Sequence, residues 1–537
     1  MTSASHVIGV DVGTGSARAG VFDASGRMLG TARRDIAIFR EPGGIVEQSS
    51  TDIWAAVCAA VQGAMVRAGV DPAQIAGLGF DATCSLVVLG QGGHPLPVGP
   101  SGDPLRDIIV WMDHRAVDQA ERINAGGHEV LRYVGGRISP EMETPKLLWL
   151  RENLPQVFDA AWQFFDLADF LTWRATGSLA RSTCTVTCKW TYLAHEGRWD
   201  AGYFRAIGLG VLADEGFARI GQRIVDPGTA LGQGLTDTAA AELGLRPGTP
   251  VGAGIIDAHA GGLGTVGLEG GPERNMAYVF GTSSCTMTST SAPVFVPGVW
   301  GPYFSAMVPG MWLNEGGQSA AGAAMEQLLL MHPAASEARQ TAGAEDLSLP
   351  AWLAGQAAAR VESLSDAALL AHGLHVVPEF LGNRAPLADP HARAVICGLG
   401  MERDIESLVA LYVAGLCGLG YGLRQIMDAQ DQAGTGATRI VISGGAGESD
   451  LVRQILADTT GRPVVATDSP EPVLLGAAIL GSVAGGLFPD VAAAMRAVTR
   501  EARVYPPAGG EIARLHERRF DAYRRLQALA CDLRDEG

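Results

Sequence analysis

Two stretches of this chain share one plan, and that repetition limits the folds open to it more than any other feature. The first reads VIGVDVGTGSARAGVF, an apolar run ending in Asp11, then the bend Gly13-Thr14-Gly15-Ser16, then a return to apolar residues around Arg18. The second reads NMAYVFGTSSCTMTSTS, an apolar run, the bend Gly281-Thr282-Ser283-Ser284 and a Thr/Ser-rich run. Each reads as strand, turn, strand. A tight hairpin needs only two small residues in its turn, so the surplus hydroxyls and glycines have another use. The same unit opening two successive halves predicts a duplicated domain with two facing turns.

A length of 537 residues exceeds what one core organises. Two domains are expected, 1–268 and 269–537, with the junction near 262–274 at the end of a glycine-rich stretch. Residues 6–12 and 19–23 are expected as strands, and ASGRMLGTARRDIAIF as a third and fourth strand of the same meander. SSTDIWAAVCAAVQGAMVRAG has helical spacing with Ser50 or Thr51 as its cap, and IAGLGFDATCSLVVL returns to strand. This order predicts an α/β fold of mixed sheets flanked by helices.

A formal charge of −17 argues against a surface built for nucleic acid or anionic lipid, so any anion must be held by a local pocket. The start MTSASHVIGVDV has no basic stretch and apolar core of a signal peptide. The most apolar window, LVALYVAGLCGLGYGL, is shorter than the roughly 20 residues that span a bilayer and reads as a buried helix. Eight scattered cysteines make no disulfide framework, and the protein is expected to be cytoplasmic. Cys184 and Cys188 in STCTVTCKW could bind a metal, but no further Cys/His cluster lies nearby in the sequence, so a structural use is expected.

Two apposed bends with backbone N–H groups and hydroxyls would clamp a polyphosphate, using Gly13, Thr14, Gly15 and Ser16 from one side and Gly281, Thr282 and Ser283 from the other. Glycine is expected there for positive φ and close approach. Arg18 would add charge at the phosphates, and Asp11 beside them makes sense as a ligand to Mg²⁺ through water. Gly444, Gly445 and Ala446 lie between the strand RIVIS and the helix ESDLVRQILADTTG. A glycine turn at a helix N-terminus lets adenine or phosphate approach backbone, with Ser449 as an adenosine contact.

The motifs DVGTGSAR, WMDHR, GIIDAHAGGLG, VFGTSSC, PEFLGNRAPLADPHARAVICGL and SGGAGESDLVRQILADTTGRPV follow one another between about residue 6 and residue 490. In that order the chain resembles the FGGY family of carbohydrate kinases. The resemblance implies the two-domain actin-like ATPase fold, with ribonuclease H-like duplicated sheets shared with Hsp70 and actin. It also implies ATP and Mg²⁺ as cofactors, a small-molecule sugar or polyol as substrate, and the homodimer common among relatives.

The resemblance implies Asp257 as the catalytic base, and phosphoryl transfer to a hydroxyl does need a carboxylate to accept its proton. A helix cap is the other use open to Asp257, and His259 is left between acid–base work and packing. Trp111 and Asp113 of WMDHR are implied to line the sugar site, with Arg115 bracing the loop. An aromatic face packs on C–H groups and a carboxylate accepts hydroxyl protons. Thr83, Cys84 and Ser85 stand where the glycerol kinase branch carries an Arg-Glu pair, leaving room for a longer polyol. TCSLV resembles the D-ribulose branch. ISPEMETPKLLW fits the ribulokinase and ribitol kinase side and carries Lys146, which either approaches the sugar or sits at the surface. Gly322 fits the nucleotide wall; Arg384 and Asp389 are left outside the set. The expected reaction is ATP-dependent phosphorylation of a pentulose, D-ribulose to D-ribulose 5-phosphate first, then ribitol or L-ribulose. The rival is a nucleotide-gated binding protein of the actin or Hsp70 type.

Overall fold

In a computed structural model, which describes residues 4–535, the first strand is His6–Val12, buried at every position but the first. It pairs antiparallel with Ser16–Asp23, which pairs with Met28–Asp35, and it pairs parallel with Ile75–Ala82. The two-residue strand Ile255–Ile256 completes this five-stranded sheet beside Ile75–Ala82. The second strand thus begins at Ser16, directly after the bend.

The meander has three strands, not four. The Ala37 N–H donates to the Asp52 carboxylate at 2.8 Å, so the ladder ends after Asp35. Phe39–Glu41 then enters a second five-stranded sheet with Ile45–Gln48, Ile108–Ile109, Leu86–Gly90 and Ala161–Asp166. The stretch IAGLGFDATCSLVVL likewise breaks at Thr83-Cys84-Ser85 into Ile75–Ala82 and Leu86–Gly90, one in each sheet. Helix Ser50–Ala68 is capped by Ser49, not by Ser50 or Thr51: the Ser49 hydroxyl accepts from the Asp52 N–H, while Ser50 donates twice to Asp107.

The second half repeats the motif. Asn275–Phe280 pairs antiparallel with Ser284–Thr290 and parallel with Arg439–Ser443 at the centre of a seven-stranded sheet. Helix Ile405–Ala433 is long and apolar enough to cross a membrane, yet 78% of its most apolar window is buried inside the protein. Its apolar residues fill the core behind this second sheet.

One helix joins the halves. Pro472–Ala484, far along the second half, lies on His6–Val12 and Ile75–Ala82 of the first sheet at backbone contact distance. A Cβ at Gly9 would stand 2.0 Å from the Leu474 carbonyl oxygen, and one at Gly79 would stand 1.9 Å from that of Ala477. The same helix packs against Asp257–Leu263.

Candidate active site

The two bends face each other across a cavity of about 340 Å³, with Gly13 and Thr14 on one wall and Gly281, Thr282 and Ser283 on the other. The N–H of Gly13 donates to the Ser16 carbonyl at 3.1 Å, and that of Gly281 to the Ser283 carbonyl at 3.0 Å. Gly15 and Ser16 close the first bend from outside the cleft lining. The expected positive φ is not found at Gly13, Gly15 or Gly281. A Cβ on any of them would meet no protein atom closer than 3.7 Å. Glycine at these positions leaves the backbone uncovered instead of permitting a left-handed turn.

Three carboxylates gather where the first sheet meets the cleft. Strand register sets Asp11 opposite Asp81, and Asp81 opposite Ile255, which is followed two residues later by Asp257. Arg18, the cross-strand partner of Asp11, donates from Nε to Asp11 at 2.8 Å and from Nη1 to Glu471 at 2.8 Å. Its charge is therefore engaged by two carboxylates and does not stand free for phosphate as the sequence suggests. Asp81, which sequence reasoning passed over, is fully buried, and neither of its oxygens meets a hydrogen-bond donor among the described residues. Burial, then the Asp11 and Asp257 charges, push its carboxyl well above the usual range. So much negative charge against one guanidinium fits a hard divalent cation, and Asp11, which lines the cleft, would hold it.

Asp257 is the first residue of helix Asp257–Leu263 and lines the cavity. Its Oδ1 accepts the Ala258 N–H at 2.8 Å, so one carboxylate both ties the helix start and faces the cleft. Burial and then the Asp11 charge push it up to about 6.

Trp111 joins the phosphate side to the other end of the cleft. Its Nε1–H donates to the Thr14 hydroxyl at 3.0 Å and its backbone N–H to the Ser85 hydroxyl at 3.2 Å. Thr83, Cys84 and Trp111 line the cavity, whereas Ser85 is fully buried and braces Trp111 from beneath. Two sequence expectations are corrected. Asp113 is fully buried and its carboxylate is taken up by Arg115 and the Val46 N–H, as a loop anchor requires. Lys146 is not at the surface: helix Glu143–Asn153 buries it, it pairs with Glu143 at 3.3 Å, and it lies outside the lining of the cavity.

Lys189, Glu315, Trp300 and Arg384 line the same cavity and were not singled out as ligand groups from the sequence. Lys189 Nζ lies 4.8 Å from the centre of the Trp300 ring, and Arg384 lies 5.6 Å from it. Burial would lift the Glu315 carboxyl, but Lys189 and His259 outweigh it and hold it down at about 2. Asp389, in contrast, is bonded to Arg534 and the His391 N–H, away from the cleft lining. The signal for Arg384 was its motif GNRAPL; the others come from elements distant in sequence with no local motif.

Gly322 and Gly444 stand behind the second bend. The Gly322 N–H donates to the Gly281 carbonyl at 3.0 Å, and a Cβ on Gly444 would lie 2.5 Å from the Phe280 carbonyl oxygen. Gly445 and Ala446 follow in the single turn Gly445–Gly447, and Ser449 precedes helix Asp450–Thr460. Gly322, Gly444, Gly445 and Ser449 lie outside the lining of the cavity itself.

Residues 6–264 match the N-terminal domain of the FGGY family of carbohydrate kinases, and residues 276–485 match its C-terminal domain. The chain is 45% identical over 513 residues to a human FGGY carbohydrate kinase domain-containing protein, covering 94% of this chain and 92% of that one. It is 37% identical over 566 residues to a D-ribulokinase of Saccharomyces cerevisiae, covering 99% of this chain and 78% of the relative. The solved structure of a xylulose kinase from Rhodospirillum rubrum superposes with a TM-score of 0.80 at 22% identity, covering 98% of this chain and 99% of the other. The fold is therefore the two-domain fold of that sugar kinase. The chain belongs to the FGGY family of carbohydrate kinases, which makes it an ATP-dependent sugar kinase.

Proposed function

We propose that the protein phosphorylates a pentulose, D-ribulose first, at a terminal hydroxyl. The observation that carries this reading is that Asp257 lines one cavity together with both bends and with side chains suited to a polyol. The chamber is lined by Thr83, Cys84, Trp111, Lys189 and Glu315, and the bends offer uncovered backbone. Sequence identity of 37% to a D-ribulokinase supports the choice of sugar.

Asp257 takes the proton of the attacking hydroxyl at Oδ2, the oxygen that does not hold the Ala258 N–H. The alkoxide oxygen forms a bond to the γ-phosphorus in line as the bond to the β-phosphate oxygen breaks, and ADP leaves. The backbone and hydroxyls of both bends grip the phosphates. Gly322, Gly444, Gly445, Ala446 and Ser449 form the wall for adenosine behind the second bend. Mg²⁺ held by Asp11 would neutralise phosphate charge that Arg18, occupied by Asp11 and Glu471, leaves uncompensated. On the sugar, Glu315 accepts hydroxyl protons while Lys189 donates, and the Trp111 ring packs on C–H groups. Closure of the two halves excludes water, which otherwise competes as acceptor.

A panel of D-ribulose, ribitol and L-ribulose in a coupled ADP-release assay tests this. D-Ribulose is expected to give the highest kcat/KM, and equal inertness of all three overturns the pentulose assignment.

A further inference from the structure

Behind the floor of the cleft, two thiols and an imidazole converge that the reaction above does not use. Cys184 and Cys188 stand four residues apart on helix Thr183–Lys189, so their side chains share one face, and both are fully buried. The sequence offers this pair no partner nearby, but the fold brings one from far along the chain. His259, two residues beyond Asp257, places Nδ1 3.1 Å from Cys184 Sγ. The two sulfurs and a ring nitrogen all lie within 4.8 Å of one another.

That spacing is close to a metal's. A tetrahedral zinc with bonds of about 2.3 Å to sulfur and about 2.0 Å to nitrogen sets its ligands roughly 3.5 Å apart. The orientation of the imidazole is also fixed from outside. Its Nε2 lies 3.3 Å from Glu315 Oε2. A carboxylate there keeps the ring proton on Nε2 and turns the Nδ1 lone pair toward the sulfurs, as the carboxylate partners of metal-bound histidines do.

We propose that Cys184, Cys188 and His259 form a binding site for a thiophilic cation, Zn²⁺ in the first instance, directly behind the catalytic helix. Binding exchanges two S–H bonds for two S–Zn bonds and releases two protons, with no change of oxidation state. The ion ties helix Thr183–Lys189, whose last residue Lys189 lines the cleft, to helix Asp257–Leu263. Cys184 already reaches that junction, since its sulfur accepts the Ile256 N–H at 3.4 Å. This site is chemically separate from the carboxylates around Asp11: thiolates select zinc, and oxygens select magnesium.

The test uses the full-length protein, reduced, stripped with chelator, loaded with Co²⁺ and desalted. The expected result is one cobalt per chain with a thiolate-to-cobalt charge-transfer band in the near ultraviolet, displaced stoichiometrically by Zn²⁺. Cys188→Ser should lose both ion and band. Cys188→Ala is the second variant in case the serine disturbs folding, which circular dichroism and kinase activity in zinc-free buffer containing Mg²⁺ would reveal. Asp11→Asn should keep the band, since an oxygen-only site cannot produce it. Absence of the band from the wild type, or an equal band in a folded Cys188 variant, overturns the proposal.

Discussion

A carboxylate that must accept a proton near neutral pH works best when its own affinity for protons lies just below the working pH, and the surroundings of Asp257 arrange that. Burial and the Asp11 charge push it up to about 6. The base form is lost below that value, so kcat/KM is expected to fall tenfold per pH unit below about pH 6, read from a pH–rate profile; a profile flat down to pH 5 would count against Asp257. Asp257→Asn keeps the shape and removes the base. It is expected to lower kcat about 10²–10⁴-fold with sugar affinity nearly unchanged, measured by steady-state kinetics and calorimetric titration. The same substitution makes a stability prediction of opposite sign. The folded protein binds the Asp257 proton more tightly than the unfolded chain does, so its contribution is favourable below about pH 4 and lost as pH rises through about 6. At pH 8 the asparagine variant, free of that buried charge, should melt no lower than the wild type and gain up to about 3 kcal/mol, checked by thermal scans at pH 5 and 8. The two bends were legible in the sequence because each sits in a local pattern of strand end and small polar residues, and Asp257 was singled out by the resemblance that its motif carries. Asp81, Lys189 and Glu315 were not, because only strand register and long-range packing bring them to the cleft.

At the scale of elements, the cleft rests on backbone contacts that admit no side chain. Gly79 on strand Ile75–Ala82 has the Ala477 carbonyl oxygen where its Cβ would be, at 1.9 Å. Gly79→Ala must push helix Pro472–Ala484 off the sheet, and overpacking of this kind costs about 1–3 kcal/mol or more. Because that helix also braces Asp257–Leu263, the variant should lose activity along with stability, seen as a lower denaturation midpoint and reduced kcat at temperatures where it remains folded. The loop elements make a gentler prediction. Thr14→Val removes the acceptor of the part-buried Trp111 Nε1–H, at a cost of about 1 kcal/mol or less, since water in the cleft can replace it. The Trp111 ring is then free to turn, and KM for sugar should rise about tenfold while the melting temperature moves little; an unchanged KM would separate Trp111 from the substrate. The helix–sheet contact was illegible because IGV, GLGF and ILGS read separately as ordinary glycines in apolar runs, and only the fold sets them face to face. The three-strand end of the first meander was missed for a related reason: the group that stops it, Asp52, belongs to the following helix.

For the whole molecule, the order of the chain and the order of the packing differ. The first bend and the three carboxylates Asp11, Asp81 and Asp257 all lie before residue 264, within the match to the family's N-terminal domain. Yet the face of the sheet that carries them is covered by helix Pro472–Ala484, which the chain reaches only after completing most of the second half. Leu474, Leu475, Ile479 and Leu480 of that helix are all buried. Removing four such side chains forfeits about 6–12 kcal/mol of apolar burial, comparable to the ~5–15 kcal/mol by which a typical domain is stable. A chain cut at the junction read from the sequence, 1–268, is therefore expected not to fold alone, although its motifs and its first core are intact. Expressed with 269–537 it should recover, because the helix can dock from a separate chain; expressed with 269–537 lacking 472–484 it should not. Solubility and proton-exchange protection of Ile75–Ala82 report the outcome directly. Protection of that strand in 1–268 by itself would show that the sheet does not depend on the helix, and the two halves would then be free to move as independent bodies during closure.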